Sequence, residues 1–496
     1  MSAQPTQPAK HVAVVGGGIA GLTAAFSLHE QAAGAGLPLT CTLLEAGSDW
    51  GGKILTHRAG ELLIEAGPDS FLSQKPWGLE LCQKLGLSGR LINTNEQHKK
   101  TFVYSRGRLR ELPEGLVVIV PTKLGPFLKS GLVSWPGILR MGLDLALPAR
   151  RASVEGGDES LASFFSRRIG REAFERVVEP LMAGIYAGDA SQISLRATFP
   201  RFLELEQTHG SLIRGMLASR PGGSGTPGRP AGGGSRTMFV TLQDGLAELT
   251  QALVARLTAA GGKLMTRQAV TAMRVRQTST NRAGGWTYDL TLGSGSVLSA
   301  DAVVLATPAF VSSGLVRPLS PIAAETLDAI PYASTATVSL AYKAGTMGAE
   351  VSGFGFVVPR VERRDLLAAT WSSLKWPHRA PASQTLVRCY LGGVGRESIL
   401  KEDDAALVRR VRSELHSMAG VTGEPVYVNV KRWDRAMPQY TLGHLDRLQT
   451  IERALDRYPG LALAGAAYRG IGIPDCIRDG TEAATAVIRT LTASRA

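Results

Sequence analysis

One hydrophobic pattern recurs near both ends of the 496-residue chain and is broken in between. His11 to Val15 (HVAVV) is a short continuous apolar run, which predicts a buried strand. Gly16-Gly17-Gly18-Ile19-Ala20-Gly21 follows at once and leads into an apolar, Ala-rich helix through about Leu28, and a second strand is predicted from Thr40 to Leu44. Towards the carboxy end, Ala300 to Pro308 (ADAVVLATP) and Leu461 to Ala464 predict further buried strands. The second leads into a glycine-rich turn from Gly465 to Asp475 and a helix of many small residues from Cys476 to Leu491. From Gly115 to Arg151 the pattern differs, since apolar clusters alternate with Pro121, Pro126, Pro136 and single charges, which excludes a straight spanning helix.

Within that interrupted segment Trp135, Ile138, Met141, Leu145 and Pro148 fall near one side of a helical wheel, and Lys123, Lys129, Arg140, Arg150 and Arg151 supply positive charge. Such an arrangement suits a helix lying in a lipid headgroup layer, the alternative being that this face packs on the protein's own core. No run approaches the roughly 20 apolar residues of a membrane span. The polar start MSAQPTQPAK predicts neither a signal peptide nor an anchor, and the Gly/Pro tract from Arg220 to Ser235 predicts a flexible loop.

Each glycine of the first turn has a separate task. Gly16 permits the tight bend, Gly18 lets backbone N–H groups approach a pyrophosphate at a helix amino terminus, and Gly21 lets helix and strand pack closely. Glu45, at the end of the second predicted strand, stands where the ribose hydroxyls of an adenosine would lie, and its negative charge disfavours a 2′-phosphate and therefore NADP.

Composition narrows the partners. Lys and Arg number 55 against 42 Asp and Glu, a net +13 that attracts anions. No basic helix with interleaved aromatics and no zinc-finger spacing occurs, so nucleic acid gives way to an anionic lipid surface or a polycarboxylate. Cys41, Cys82, Cys389 and Cys476 are far apart and form no C-x-x-C pair, which argues against a metal site and for a reducing compartment.

The order Gly16 to Gly21, Glu45, Gly51-Gly52-Lys53 and Gly67-Pro68-Asp69-Ser70 resembles that of the FAD-dependent amine oxidase superfamily. Lys53 stands where that family usually has Arg, keeping the charge without the planar fork. The stretch Glu179-Pro180-Leu181-Met182-Ala183-Gly184-Ile185-Tyr186-Ala187-Gly188-Asp189 is similar to a signature of the protoporphyrinogen and coproporphyrinogen oxidases. Met437-Pro438-Gln439-Tyr440 with Gly443-His444, and Tyr468 to Cys476, extend the resemblance over nearly the whole chain from His11 onward.

The resemblance implies an α/β fold in which a discontinuous Rossmann-like FAD-binding domain (10–95, 238–310 and 430–496) accompanies a helical membrane-associating domain (96–220) and a substrate-binding domain (311–429). FAD would be held without a covalent link by Gly16, Gly17, Gly18, Ile19, Ala20, Gly21, Glu45, Ala46, Gly52, Lys53, Gly67, Pro68, Asp69, Ser70, Val270, Trp433, Ile471, Gly472 and Ile473. A porphyrinogen would lie against Thr101, Gly184, Gly188, Phe356, Val358 and Trp376, with Lys75, Lys99 and Arg176 as candidates for its propionates. The implied reaction is the six-electron oxidation of a porphyrinogen by three O2, giving the porphyrin and three H2O2 in haem biosynthesis. It needs orientation in an apolar pocket more than a catalytic triad or metal. The family label leans to protoporphyrinogen IX, with coproporphyrinogen III as the alternative. A peripheral position on the inner face of a membrane, a homodimer and contact with the next haem-pathway enzyme complete the expectations. Amine oxidases, carotenoid desaturases and a flavin-binding scaffold without turnover are the rivals.

Overall fold

The computed structural model describes residues 9–113, 116–117, 120–121, 125–150, 157–218, 236–278, 285–347 and 352–493. The loop expected at 220–235 lies outside these residues, as do Lys123 and Arg151.

Among the described residues, parallel strands lie side by side in the order Lys263–Met265, Leu39–Leu44, Lys10–Val15, Ala302–Leu305, Leu461–Leu463. A parallel sheet is covered on both faces, which is why its central strands, Lys10–Val15 from Val12 onward and Ala302–Leu305, read as unbroken apolar runs. One face is covered by the helices Ile19–Gly34 and Ile473–Ala493, and any Cβ at Gly480 would collide with the Ala20 carbonyl, so these two helices lie in close contact. The other face packs on the antiparallel sheet Val270–Thr278, Gly285–Leu292, Val297–Ala300 and on the helices Ala309–Val316, Pro321–Asp328 and His444–Leu455. The first helix runs past the predicted Leu28 because Ala32 still packs on the core.

A second, mixed sheet has the order Tyr427–Pro438, Tyr332–Lys343, Gln384–Gly392, Leu366–Trp371, Gly355–Val357, Thr101–Ser105, Arg108–Glu111. Thr101 to Glu111 therefore belong to a sheet, although the sequence division gives them to the helical segment, and the Tyr427–Pro438 strand runs through the boundary drawn at residue 430. One face of this sheet packs on the helix Asp404–Ala419 through Phe356, Val358, Ala369, Trp371, Val387 and Cys389. Strand side chains alternate, so the intervening residues belong to the opposite face. Pairing aligns Lys431, Thr337, Tyr390, Ala368 and Val357 in one row across it and Ser339, Arg388, Thr370, Gly355 and Thr101 in the next.

Helices between Gly125 and Ala218 form a third core around Phe127, Ile138, Met141, Phe164, Phe165 and Phe202. Pro180 has no N–H and its ring would crowd the carbonyl of residue 176, and the wide π turn Phe174–Val178 directly before Glu179–Tyr186 relieves that conflict. At the heart of this core Arg168 and Asp144 are both fully buried and paired. Asp144 Oδ2 also accepts from Ser211 Oγ (2.6 Å) and the Ile213 N–H (2.9 Å), and Arg168 donates to the carbonyls of Asp144, Leu147, Pro148 and Gly210.

This pair corrects the orientation expected for Trp135–Gly142. Ile138 and Met141 face the core, and Arg140 is spent on the carbonyls of Ser166, Arg167 and Arg168, capping the helix Leu161–Ile169. Trp135 (67% exposed), Leu139 (64%) and Leu143 (52%) point outward, with Leu128 and Leu145 beside them in the sequence also exposed. No helix among the described residues is long and apolar enough to cross a membrane. All four cysteines are buried and free, and burial pushes the thiols of Cys41, Cys82 and Cys476 up to about 12 and raises that of Cys389 as well.

Candidate functional site

The glycine turn joins the central strand to the amino end of the Ile19–Gly34 helix, which no side chain caps. Its first N–H groups are thus available to an anion. Gly16 adopts φ +110°, and a Cβ there would meet the Ala306 carbonyl oxygen at 2.6 Å; a Cβ at Gly21 would collide with the Gly16 carbonyl. A Cβ at Gly18 would meet no atom within 4 Å, so the protein leaves open the space a pyrophosphate would occupy. Gly18 itself is extended (φ −73°, ψ 177°), and only close approach, not its backbone angles, calls for glycine there.

Glu45 reaches over this turn, its carboxylate accepting from the N–H of Gly17 and of Gly47 at 2.6 Å each. Ala46, between Glu45 and Gly47, is exposed, and Gln268 N–H bonds the Glu45 carbonyl two residues before Val270 enters its strand. Gly51 bridges Gly18, and a Cβ at Gly52 would stand 3.1 Å from the Gly18 Cα. Burial lowers the Lys53 ammonium below the usual lysine range, with Cys476 as a partly opposing influence. These features fit a dinucleotide: open space at Gly18, uncapped helical N–H groups, and the Glu45 carboxylate bonded to the turn.

The returning chain reaches the same place. Gly465 N–H bonds Asp479 Oδ2 (2.6 Å), and Gly465 lies against Ala20 of the first turn. Ile471 and Gly472 are half-buried and lead into the Ile473–Ala493 helix, whose first turn holds Asp475. Lys75 is bound to Asp475 by two short contacts (2.5 and 2.7 Å), so its charge is already partnered rather than free for a propionate. Arg176 likewise donates to Glu362 (2.8 Å) and Ser105 (2.9 Å), and Lys99 is exposed.

The Gly67 to Ser70 turn sits against the open face of the mixed sheet. Trp433 Nε1 (2.8 Å) and Thr337 Oγ1 (3.0 Å) donate to the Ala66 carbonyl, and Arg388 donates to that of Gly67. Burial disfavours the Asp69 charge, but Lys375, Arg388 and the Ser70 hydroxyl outweigh it and hold this carboxyl well below the usual range. Pro68 is half-buried beside it.

Phe356, Val358 and Trp376 do not line a slot. The first two lie in the core between the mixed sheet and its helix, and Trp376 is 1% exposed, its Nε1 donating to Asp69. A one-residue slip along a strand exchanges its faces, and the partly exposed side chains are Val357, Ala368, Thr370 and Tyr390. Thr101 is half-buried on that same face. Gly184 is exposed with open space around it, whereas Gly188 is buried against the Gln439 side chain. The alternation of an open face was readable in Val387 to Leu391, but the sequence does not say which face meets the helix.

Two histidines give a pH dependence. Burial and then the neighbouring Arg379 lower His378 to about 4; burial likewise lowers His444 to about 4, against the opposing bond from its ring to the Tyr468 carbonyl. Both lie below the unfolded value near ~6.5, so each contributes stability that is complete above that pH and is lost as pH falls through 4, at most about 3 kcal/mol apiece. Asp479, raised to about 6 by burial, acts in the opposite sense over the same window. The expected result is therefore differential: the melting temperature of His378→Gln falls less between pH 6.5 and 4 than that of the parent protein. Parallel profiles would refute the assignment.

The chain is similar over nearly its whole length to several known proteins. The family described as flavin containing amine oxidoreductase matches residues 19–488. Coproporphyrinogen III oxidase of Bacillus subtilis (strain 168) is 38% identical over 475 residues, 96% of this chain and 97% of that one. The chloroplastic protoporphyrinogen oxidase of Oryza sativa subsp. japonica is 33% identical over 497 residues, 97% of this chain and 88% of that one. A crystal structure from Exiguobacterium sp. 255-15 shares the α/β arrangement with a TM-score of 0.82 at 31% identity, covering 99% of this chain and 100% of the other.

Proposed function

The chain belongs to the flavin-containing amine oxidoreductase family, and from that premise we propose that it is an oxygen-dependent porphyrinogen oxidase of haem biosynthesis. The substrate proposed is coproporphyrinogen III. The family signature alone leaned to protoporphyrinogen IX, but the Bacillus subtilis coproporphyrinogen III oxidase is more similar (38%) than the rice protoporphyrinogen oxidase (33%). FAD, held at the Gly16 to Gly21 turn with Glu45 beside it, would supply the hydride acceptor, with O2 as the final oxidant. Three rounds remove six electrons and six protons from the macrocycle and convert three O2 to three H2O2.

The observation that carries this reading is the sheet face on which Ala368, Thr370 and Tyr390 remain partly exposed on adjacent strands. It offers a flat, mostly uncharged surface against the Gly67 to Ser70 turn, beside the dinucleotide cradle. Such a surface orients a flat substrate and excludes water, while the chemistry needs no nucleophile from the chain. The test is parallel turnover of coproporphyrinogen III and protoporphyrinogen IX by the purified FAD-loaded protein, read as porphyrin fluorescence and peroxide. Faster turnover of protoporphyrinogen IX would reverse the substrate choice, and turnover of neither would refute the function.

We further propose that the outward face of Trp135, Leu139 and Leu143 inserts into the headgroup layer of a bilayer, from which a poorly soluble macrocycle is handed on. A contiguous apolar surface rarely stays in water without a role. Arg140 is engaged inside while Lys129 and Arg150 remain exposed, so high salt should release the protein from vesicles only in part, the apolar contribution persisting. In co-sedimentation with anionic vesicles, Leu139→Ser with Leu143→Ser is expected to weaken binding about tenfold or more without loss of FAD. Ile138 is a core residue and unsuited to this test. A parent protein that ignores vesicles at low salt would refute the membrane role.

A further inference from the structure

The segment Gln439-Tyr440-Thr441-Leu442-Gly443-His444 touches both sides of the candidate site. Gln439, Tyr440 and His444 are 2%, 1% and 1% exposed. The Tyr440 hydroxyl accepts from the Gly470 N–H (2.7 Å) and donates to the Ala466 carbonyl (2.7 Å). It thus stands between residues i and i+4 of the returning loop, where a helical backbone bond would otherwise close. His444 stacks on the Tyr440 ring (centroids 4.0 Å apart, 10° between planes), and its Nε2–H donates to the Tyr468 carbonyl midway along the loop (2.9 Å). On the other side Gln439 Nε2 donates to the Tyr186 carbonyl (2.8 Å), and the Tyr440 carbonyl accepts from the Ser194 N–H (2.8 Å).

We propose that Tyr440 and His444 are positioning residues that hold the Ala466 to Gly470 loop open from behind. Its continuation through Ile471, Gly472 and the start of the last helix is then presented to the flavin at a fixed distance from the Tyr186 to Gly188 turn. Three polar backbone groups of a five-residue loop are satisfied by two side chains, so the loop keeps a shape that its own hydrogen bonds would not give. The proposal rests on the flavin reading above and is independent of the substrate.

The test compares Tyr440→Phe with Tyr288→Phe. Tyr288 is also fully buried and donates to a backbone carbonyl, that of Pro459 (2.8 Å), but this carbonyl precedes the Leu461–Leu463 strand, whereas the Ala466 to Gly470 loop follows it. Both substitutions remove one hydroxyl and should lower the melting temperature of the apoprotein. Tyr440→Phe is expected to raise the FAD dissociation constant about tenfold and to alter the visible flavin spectrum, whereas Tyr288→Phe leaves both unchanged. His444→Phe, which keeps the ring stack and removes the donor to Tyr468, should move both readouts in the same direction and serves if Tyr440→Phe does not fold. Affinity and spectrum equal to those of the parent in the folded variants would overturn the proposal. Protein that binds FAD normally yet oxidises neither porphyrinogen would overturn only the function proposed above, and protein that takes up no FAD would overturn both.

Discussion

Gly18→Val is expected to yield a folded apoprotein that FAD no longer stabilises. At most buried glycines a valine would damage the fold first. Here the backbone is extended, within the ordinary range for valine, and an added Cβ meets no protein atom within 4 Å. The space is empty of protein but required by the pyrophosphate, so the whole effect should fall on the cofactor. An affinity loss of about a hundredfold or more corresponds to roughly 2.7 kcal/mol, which is also about the stabilisation a ligand at 100 times its Kd confers. Thermal melts with and without FAD read this directly: the parent melts higher with FAD, and the variant melts like the parent apoprotein under both conditions. Gly21→Val is the contrast, because its side chain would run into the Gly16 carbonyl and the fold itself should fail. A Gly18→Val protein that still binds FAD would show that the pyrophosphate lies elsewhere.

The largest effect on stability is expected at Asp144→Ala. Arg168 would remain fully buried with its best counter-charge removed, since Glu206 at 3.4 Å already serves Arg167 at 2.6 Å. The Ser211 hydroxyl and Ile213 N–H would lose their acceptor at the same time. Breaking a buried pair from one side costs about 3–5 kcal/mol, and urea unfolding should show a loss of that order with FAD affinity unchanged. Asp144→Asn keeps acceptor capacity for Ser211 and Ile213 and should lose less. A loss below about 1 kcal/mol would mean that Arg168 finds another partner.

Both results bear on what the sequence could reveal. The glycine turn and its flanking strand were legible because their signals lie within one short stretch of chain: close approach needs glycine, and a strand buried on both faces needs an unbroken apolar run. The orientation of the Trp135 helix was not legible. Ile138 and Met141 form one apolar arc and Leu139 and Leu143 another, and the choice between them is made by Asp144 meeting Arg168, 24 residues further on. The partner of Lys75 was not legible for the same reason, as Asp475 lies 400 residues away. Phe356 and Val358 sit on a correctly located strand, but only the helix packed behind it tells core face from open face. The motif containing Tyr440 and His444 was visible, yet its reach to Ala466 and Tyr468 belongs to tertiary structure.

The burial of the four sulfhydryl groups matters for how long such an enzyme can work. Every turnover of the proposed reaction would release an oxidant within the molecule's own solvent shell, and oxidation of cysteine begins with its anion at an accessible sulfur. Cys41, Cys82, Cys389 and Cys476 are at most 6% exposed, and their raised pKa values leave almost no anion at neutral pH. The native fold thus keeps its thiols out of reach of such an oxidant, and their oxidation would have to follow local unfolding.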